Sequence, residues 1–237
     1  TAARIVLRGN GGPLQEQLQI KEERSHVHKL PAAEKAEKAG REQGKSYFCP
    51  AFDPSRLMFF NGTGGFSEDG RSYVILLREG HHTPAPWINV ISNGNFGFQI
   101  SEVGSGYTWS ENSRENKLTP WSNDPVSDPA GEVIYIRDED KGDYWSITPM
   151  PVREEADYVV THGQGYSVFE HASHGIEQRL TVFVPLEYPV KVSIISLKSV
   201  REEPVRLRAT YYIRPVLGVS DRISSQYIST RIDDKTG

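Results

Sequence analysis

The chain has 237 residues, 37% of them hydrophobic and 10% aromatic, with a formal net charge of -4. That length buries a sizeable core without staples, and the charge leaves no electrostatic footprint for nucleic acid. A single cysteine, Cys49, excludes an internal disulfide and fits a reducing, cytoplasmic setting; no apolar run is long enough to cross a bilayer, and the N-terminus has no apolar signal region.

Residues 1–50 read as a connector. A short apolar run over 2–7 stops at Gly9 to Pro13, a short helix is expected over Leu14 to Lys21, and Pro31 precedes a second stretch rich in Glu, Lys and Ala. A segment polar on every face is a solvated linker. From residue 51 the character changes. Leu57 to Phe60 is apolar, and two turn signals follow, at 61–66 and 67–71. Asn61-Gly62-Thr63 matches a glycosylation sequon, but without a secretion signal it reads as a turn in which at least one of Gly62, Gly64 and Gly65 takes a positive φ.

Strand-like runs then succeed one another at 71–79, 86–93, 96–102, 132–139, 158–162, 166–172, 176–185, 190–200 and 205–217. They are β-branched and aromatic, and several alternate. Asp138 to Gly142 and Glu187 to Pro189 are turn markers between them. Many short strands with frequent turns predict an all-β, antiparallel, two-sheet sandwich over 51–237. The last four residues carry hairpin-turn chemistry after a strand, so a partner strand is expected next and the chain reads as a truncated piece.

Residues 104–128 look too irregular for a strand. They pack Tyr107, Trp109 and Trp121 among Glu111, Asn112, Arg114, Glu115, Asn116, Asn123, Asp124 and Asp128. Flat aromatic faces cover the C–H patches of a sugar ring, and fork-shaped amide, guanidinium and carboxylate groups take up its hydroxyls. A sugar surface and a buried packing surface both fit this composition. Tyr107, Trp109, Glu111, Asn112, Arg114, Trp121, Asn123 and Asp124 are therefore the candidates for contact with a carbohydrate or with another domain, Arg114 foremost because its fork pairs with a carboxylate or with sugar hydroxyls.

Other chemistry reads as structural. The H-x2-H spacing of His171 and His174, with His162 and the His81-His82 pair nearby, is compatible with zinc, yet no Cys or His-Glu motif completes a site, so no metal is expected. The glycine-rich turns are not followed by helices and lack a phosphate cradle. Asp124 and Asp128 form a possible carboxylate pair, but the prolines after them indicate turn capping.

Three long stretches, 59–75, 83–146 and 158–171, followed by 175–192 and 210–218, together resemble the opening module of glycoside hydrolase family 94, formerly glycosyltransferase family 36. The likeness covers most of 57–219 and is strongest to the version found in cyclic β-1,2-glucan synthases and β-1,2-oligoglucan phosphorylases. It implies a super-β-sandwich like that of galactose mutarotase-like domains. It also implies that the general acid and phosphate-binding groups sit on a following (α/α)6 barrel, which this sequence does not contain. No catalytic residue is therefore assigned here. No cofactor is implied, inorganic phosphate being the co-substrate of the intact parent. The partners implied are a β-glucan or gluco-oligosaccharide, the catalytic barrel and a possible second copy. A free-standing carbohydrate-binding module and a dimerisation scaffold are the alternative readings.

Overall fold

The computed structural model describes residues 52–233. The 1–50 connector, Cys49 and the 234–237 turn lie outside the described residues. Among those described, the chain forms twelve strands: β1 Gly64–Phe66, β2 Ser72–Leu77, β3 Ile88–Ser92, β4 Phe96–Ser101, β5 Gly106–Ser110, β6 Glu132–Asp138, β7 Tyr144–Ser146, β8 Tyr158–Gly163, β9 Tyr166–Ser173, β10 Ile176–Phe183, β11 Val192–Ser199 and β12 Leu207–Ile213. The described helical elements are one turn of α-helix, α1 Asp221–Ser224, and two 3-10 turns, Pro54–Arg56 and Ser225–Tyr227.

Every pairing is antiparallel. One sheet has six strands in the order β1-β2-β8-β9-β10-β11; two three-stranded sheets have the orders β3-β4-β5 and β12-β6-β7. The three expose their apolar faces to one core. Ile75 and Leu77 of β2, Tyr158 and Val160 of β8, Phe169 of β9 and Leu180 and Val182 of β10 meet Phe96, Phe98 and Ile100 of β4, Ile134 and Ile136 of β6 and Trp145 of β7. Positions two apart in each strand share a face, so one alternation supplies the whole layer. Each fully buried large side chain contributes on the order of 1.5–3 kcal/mol.

The expected all-β sandwich is therefore present, with its second layer divided in two. The halves are sewn together by segment 117–118: Leu118 N–H donates to Thr108 O of β5 at 2.8 Å, while Val216 N–H, just after β12, donates to Leu118 O at 2.8 Å. Three strands escape the sequence pattern. β1 lies inside the expected glycine turn, β5 begins the segment read as irregular, and β7 is too short to show a period. Within the 61–66 stretch the roles divide. Gly62 has φ +98°, and Asn61 Oδ1 accepts from Thr63 N–H at 3.0 Å and Gly64 N–H at 2.9 Å, so the sequon is a turn. Gly64 and Gly65 serve close approach instead: a Cβ on Gly65 would lie 2.8 Å from Met58 O, and one on Gly64 2.8 Å from Val74 O.

A buried ionic knot joins the layers. Glu132, at the start of β6, accepts from Lys191 Nζ at 2.8 Å, Tyr211 Oη of β12 at 2.6 Å, Thr119 Oγ1 at 2.7 Å and Thr108 Oγ1 of β5. Lys191 also stands 4.6 Å over the Phe98 ring. Burial opposes ionisation of Glu132, but the Lys191 charge and the four hydrogen bonds outweigh it and hold the carboxyl at about 2. Replacing Lys191 by Met strands this carboxylate, and we expect a loss of about 3–5 kcal/mol in urea unfolding, of which adding Glu132→Gln restores a large part.

Two histidines are folded in as neutral rings. His162 of β8 donates from Nε2 to Trp87 O at 3.0 Å and accepts at Nδ1 from the Ser167 hydroxyl at 2.9 Å. His171 of β9 stacks on Tyr158 at 4.3 Å and accepts at Nε2 from Gln178 at 2.9 Å. Burial lowers His162 to about 4 and His171 to about 3. The unfolded chain protonates both near pH 6.5, whereas the folded chain refuses the protons until far lower. Their contribution is thus complete above about pH 6.5 and is lost as pH falls toward their folded values, at about 1.4 kcal/mol per pH unit for each ring. Urea midpoints taken at a series of pH values will fall steadily across this window, and Glu132 will add a further loss between 4.5 and about 2.

Candidate functional site

The outer face of the β3-β4-β5 sheet is where the aromatic residues gather. In β5, Tyr107 and Trp109 are two apart and share that face; across the ladder Tyr107 opposes Gln99 and Trp109 opposes Gly97 of β4, and these oppose Val90 and Ser92 of β3. Tyr107 and Trp109 ring centroids are 5.2 Å apart. Trp121, arriving from the following loop, stacks on Tyr107 at 5.4 Å with 19° between planes. Tyr107 is covered at 7% exposure, while Trp121 is 46% exposed. The tryptophans therefore do not fill the space between the sheets, as a pure packing role requires. They build a surface, with Tyr107 as its middle layer.

Gly97 makes that surface possible. A Cβ there would meet Trp109 Cζ2 at 2.5 Å and Ser92 Cβ at 2.7 Å, so only glycine lets the indole lie down across β4. Ile88 and Val90 extend the same face with 48% and 56% exposure.

Beside Trp121 a cleft of about 260 Å³ opens, lined by Pro86 and Ile88 from one segment, by Asn123, Asp124 and Asp128 from another, and by Gln99 and Ser105. Its two rims are separately pinned. On the first, buried Glu102 accepts Trp87 N–H at 2.7 Å and the Thr83 hydroxyl, fixing the 83–87 loop; burial pushes this carboxyl upward despite those bonds. On the second, Asp124 Oδ1 accepts Val126 N–H at 3.0 Å and Asp124 Oδ2 the Ser127 hydroxyl at 2.6 Å, and Asp128 Oδ2 accepts the Ser101 hydroxyl at 2.6 Å. Asp124 thus caps a turn, as its proline neighbour indicates, while Asp128 ties the rim to β4.

The candidate residues separate into two groups. Tyr107, Trp109, Trp121, Asn123 and Asp124 lie along the platform and cleft. Glu111, Asn112 and Arg114 belong to the tight turn after β5. Glu111 has φ +59°, Asn112 Oδ1 accepts Arg114 N–H at 2.9 Å and Glu115 N–H at 2.8 Å, and the Arg114 guanidinium reaches only its neighbour Glu115, at 3.2 Å, while 85% exposed. Arg114 does not line the cleft. Pro86, Ile88, Gly97 and Gln99 were missed as site residues. The alternation of 96–100 does place Gly97 and Gln99 together opposite the apolar Phe96, Phe98 and Ile100, and a glycine among aromatic strand residues signals close approach.

The histidines do not assemble a metal site. His171 is engaged with Tyr158 and Gln178, whereas His174 stacks on Trp145 at 4.2 Å and bonds Glu154 at 2.8 Å. Among the described residues no three His, Cys, Asp or Glu side chains come together to hold an ion.

A six-stranded sheet facing a divided second layer, with loops elaborated on one half, defines a β-supersandwich. The chain belongs to the glycosyl hydrolase 94 family, whose supersandwich domain matches residues 71–237. It is 38% identical over 185 residues to the cyclic beta-(1,2)-glucan synthase NdvB of Rhizobium meliloti (strain 1021), covering 77% of this chain and 6% of that protein. It is 33% identical over 153 residues to the N,N'-diacetylchitobiose phosphorylase of Vibrio proteolyticus, covering 63% of this chain and 19% of the relative. With the solabiose phosphorylase of Paenibacillus borealis it shares 30% over 159 residues, 62% of this chain and 19% of the relative. The chain thus spans a small part of each relative's length.

Gly97→Val is expected to force Trp109 off β4, costing about 1–3 kcal/mol as an overpacking substitution. Near-ultraviolet circular dichroism will report loss of the ordered stack, and thermal unfolding the cost.

Proposed function

We propose that this chain is the non-catalytic, carbohydrate-associated sandwich of a glycosyl-transferring parent, a β-glucan phosphorylase or a cyclic β-1,2-glucan synthase. The bond-making chemistry belongs to a separate catalytic barrel, with inorganic phosphate as co-substrate where the parent is a phosphorylase. The observation that carries this reading is the Trp109-Tyr107-Trp121 stack, held on rigid strands with Trp121 open to solvent. An indole face presented this way suits the C–H face of a pyranose, and amide and carboxylate groups beside it suit hydroxyls. The relatives support the sugar class: by name they make a cyclic β-1,2-glucan or phosphorolyse disaccharides. In this reading the platform touches glucan held at the mouth of the barrel. No helix among the described residues is long and apolar enough to cross a membrane; the cytoplasmic location is our proposal and rests on the single cysteine, which fits a reducing compartment.

Titrating the purified chain with β-1,2-glucan is expected to shift and protect its tryptophan emission. Trp121→Ala is expected to weaken binding by about tenfold or more, because one stacked ring contributes on the order of 1–3 kcal/mol. Trp87→Phe and Trp145→Phe backgrounds isolate the loop signal. Absence of any glucan response would leave the stack a docking surface for protein alone. The same chain incubated with β-1,2-glucan and inorganic phosphate is expected to release no glucose 1-phosphate; release would place catalysis within the sandwich itself.

A further inference from the structure

The cleft beside Trp121 has a charge character that the platform alone does not reveal. It carries two carboxylates, Asp124 and Asp128, and among the described residues no Lys, Arg or His lines it. A third carboxyl, Glu102, is buried next to Asp128 and holds the opposite rim. The other polar side chains of the lining are neutral. The Gln99 side chain makes no hydrogen bond among the described residues, and it lines the cleft together with Ser105 and Asn123. The apolar part of the lining is the Trp121 indole with Pro86 and Ile88.

Resting on the sugar-contact reading above, we propose that this cleft is a subsite for one uncharged sugar residue and that its carboxylates exclude anionic saccharides. A neutral pyranose fits on three counts. Its C–H faces meet Trp121 and Pro86, its hydroxyls bond the Gln99 amide and the Asp128 carboxylate, and it brings no charge that needs a counter-ion. A uronic acid or a sugar phosphate fails on one of them. It places a further negative charge against Asp124 and Asp128 with no cation among the described lining residues, and like charges brought together in a partly desolvated cleft repel strongly. Discrimination here comes from a repulsive element built beside an attractive one. The cleft volume of about 260 Å³ is below the range usual for drug-sized ligands and suits one residue, an end or a single bend of a chain.

The test compares two ligands on the whole chain: sophorose, the neutral β-1,2-linked glucose disaccharide, and the same disaccharide with a glucuronate in place of one glucose. Tryptophan emission is followed in the wild type, in Gln99→Ala, and in the double variant Asp124→Asn, Asp128→Asn, whose amides keep oxygen acceptors for the Ser127 and Ser101 hydroxyls. We expect sophorose to bind about tenfold or more tightly than the glucuronide at low ionic strength, with the gap shrinking as salt screens it. In the double variant the ratio is expected to fall to about twofold or less, and Gln99→Ala to weaken sophorose by about fivefold or more. Equal affinity for the two disaccharides in the wild type overturns the proposal while leaving sugar contact standing. So does a ratio unmoved by the double variant, or sophorose binding indifferent to Gln99. If neither disaccharide nor longer glucan alters Trp121 emission, the sugar-contact reading fails and this subsite with it.

Discussion

The carboxylate of Glu132 is the point on which the second layer hangs. The two three-stranded sheets meet through the short backbone seam of segment 117–118, and each alone is too small to hold its shape in water. Glu132 reinforces that seam with side-chain bonds. It gathers a threonine from β5, one from the 117–119 segment, a tyrosine from β12 and a lysine from just before β11. Such a group is tolerable in an apolar interior only when every lone pair is met and a cation is close, and here both hold. Such a knot adds little net stability compared with an apolar replacement, but removing one partner strands the rest.

The site inherits its rigidity from that arrangement. The β3-β4-β5 sheet is fastened at three more points, each by a polar side chain that reaches across the layers. Asn89 donates to Gly163 O and to Tyr166 O, both at 2.9 Å; Asn93 donates to Pro185 O at 2.9 Å; and the neutral His162 ring links Ser167 to Trp87 O. Trp87 N–H in turn bonds Glu102, which anchors the cleft's first rim. The burial that keeps His162 uncharged and the placement of Pro86 and Ile88 are thus parts of one connected set of bonds.

Nine of the twelve strands were legible because they are runs of five or more residues rich in β-branched and aromatic side chains, several of them alternating, and because glycine and proline punctuate them. Those that were missed are short, like β7, or, like β1, composed largely of glycine, whose sequence signal is that of a turn. β5 was obscured by its neighbours: the polar residues after Ser110 made Gly106–Ser110 look like part of one loop. At the site, the aromatic residues were visible because Tyr107, Trp109 and Trp121 are close in sequence. The opposite wall was not, since Pro86, Ile88 and Gln99 reach it only through strand register. Arg114 was attractive on chemistry alone; the local turn that Asn112 caps directs it elsewhere.

The cleft's outer rim, 120–129, is closed by its own aspartate-capped turn and touches β4 through the single Ser101–Asp128 bond. It owes little to the hydrophobic core. Sequence drift in this rim therefore meets weak resistance from folding, whereas drift at Glu132 or Gly97 meets strong resistance. A change of sequence in this rim therefore costs the fold less than a change in the strands beneath it, and rim and architecture are free to vary separately.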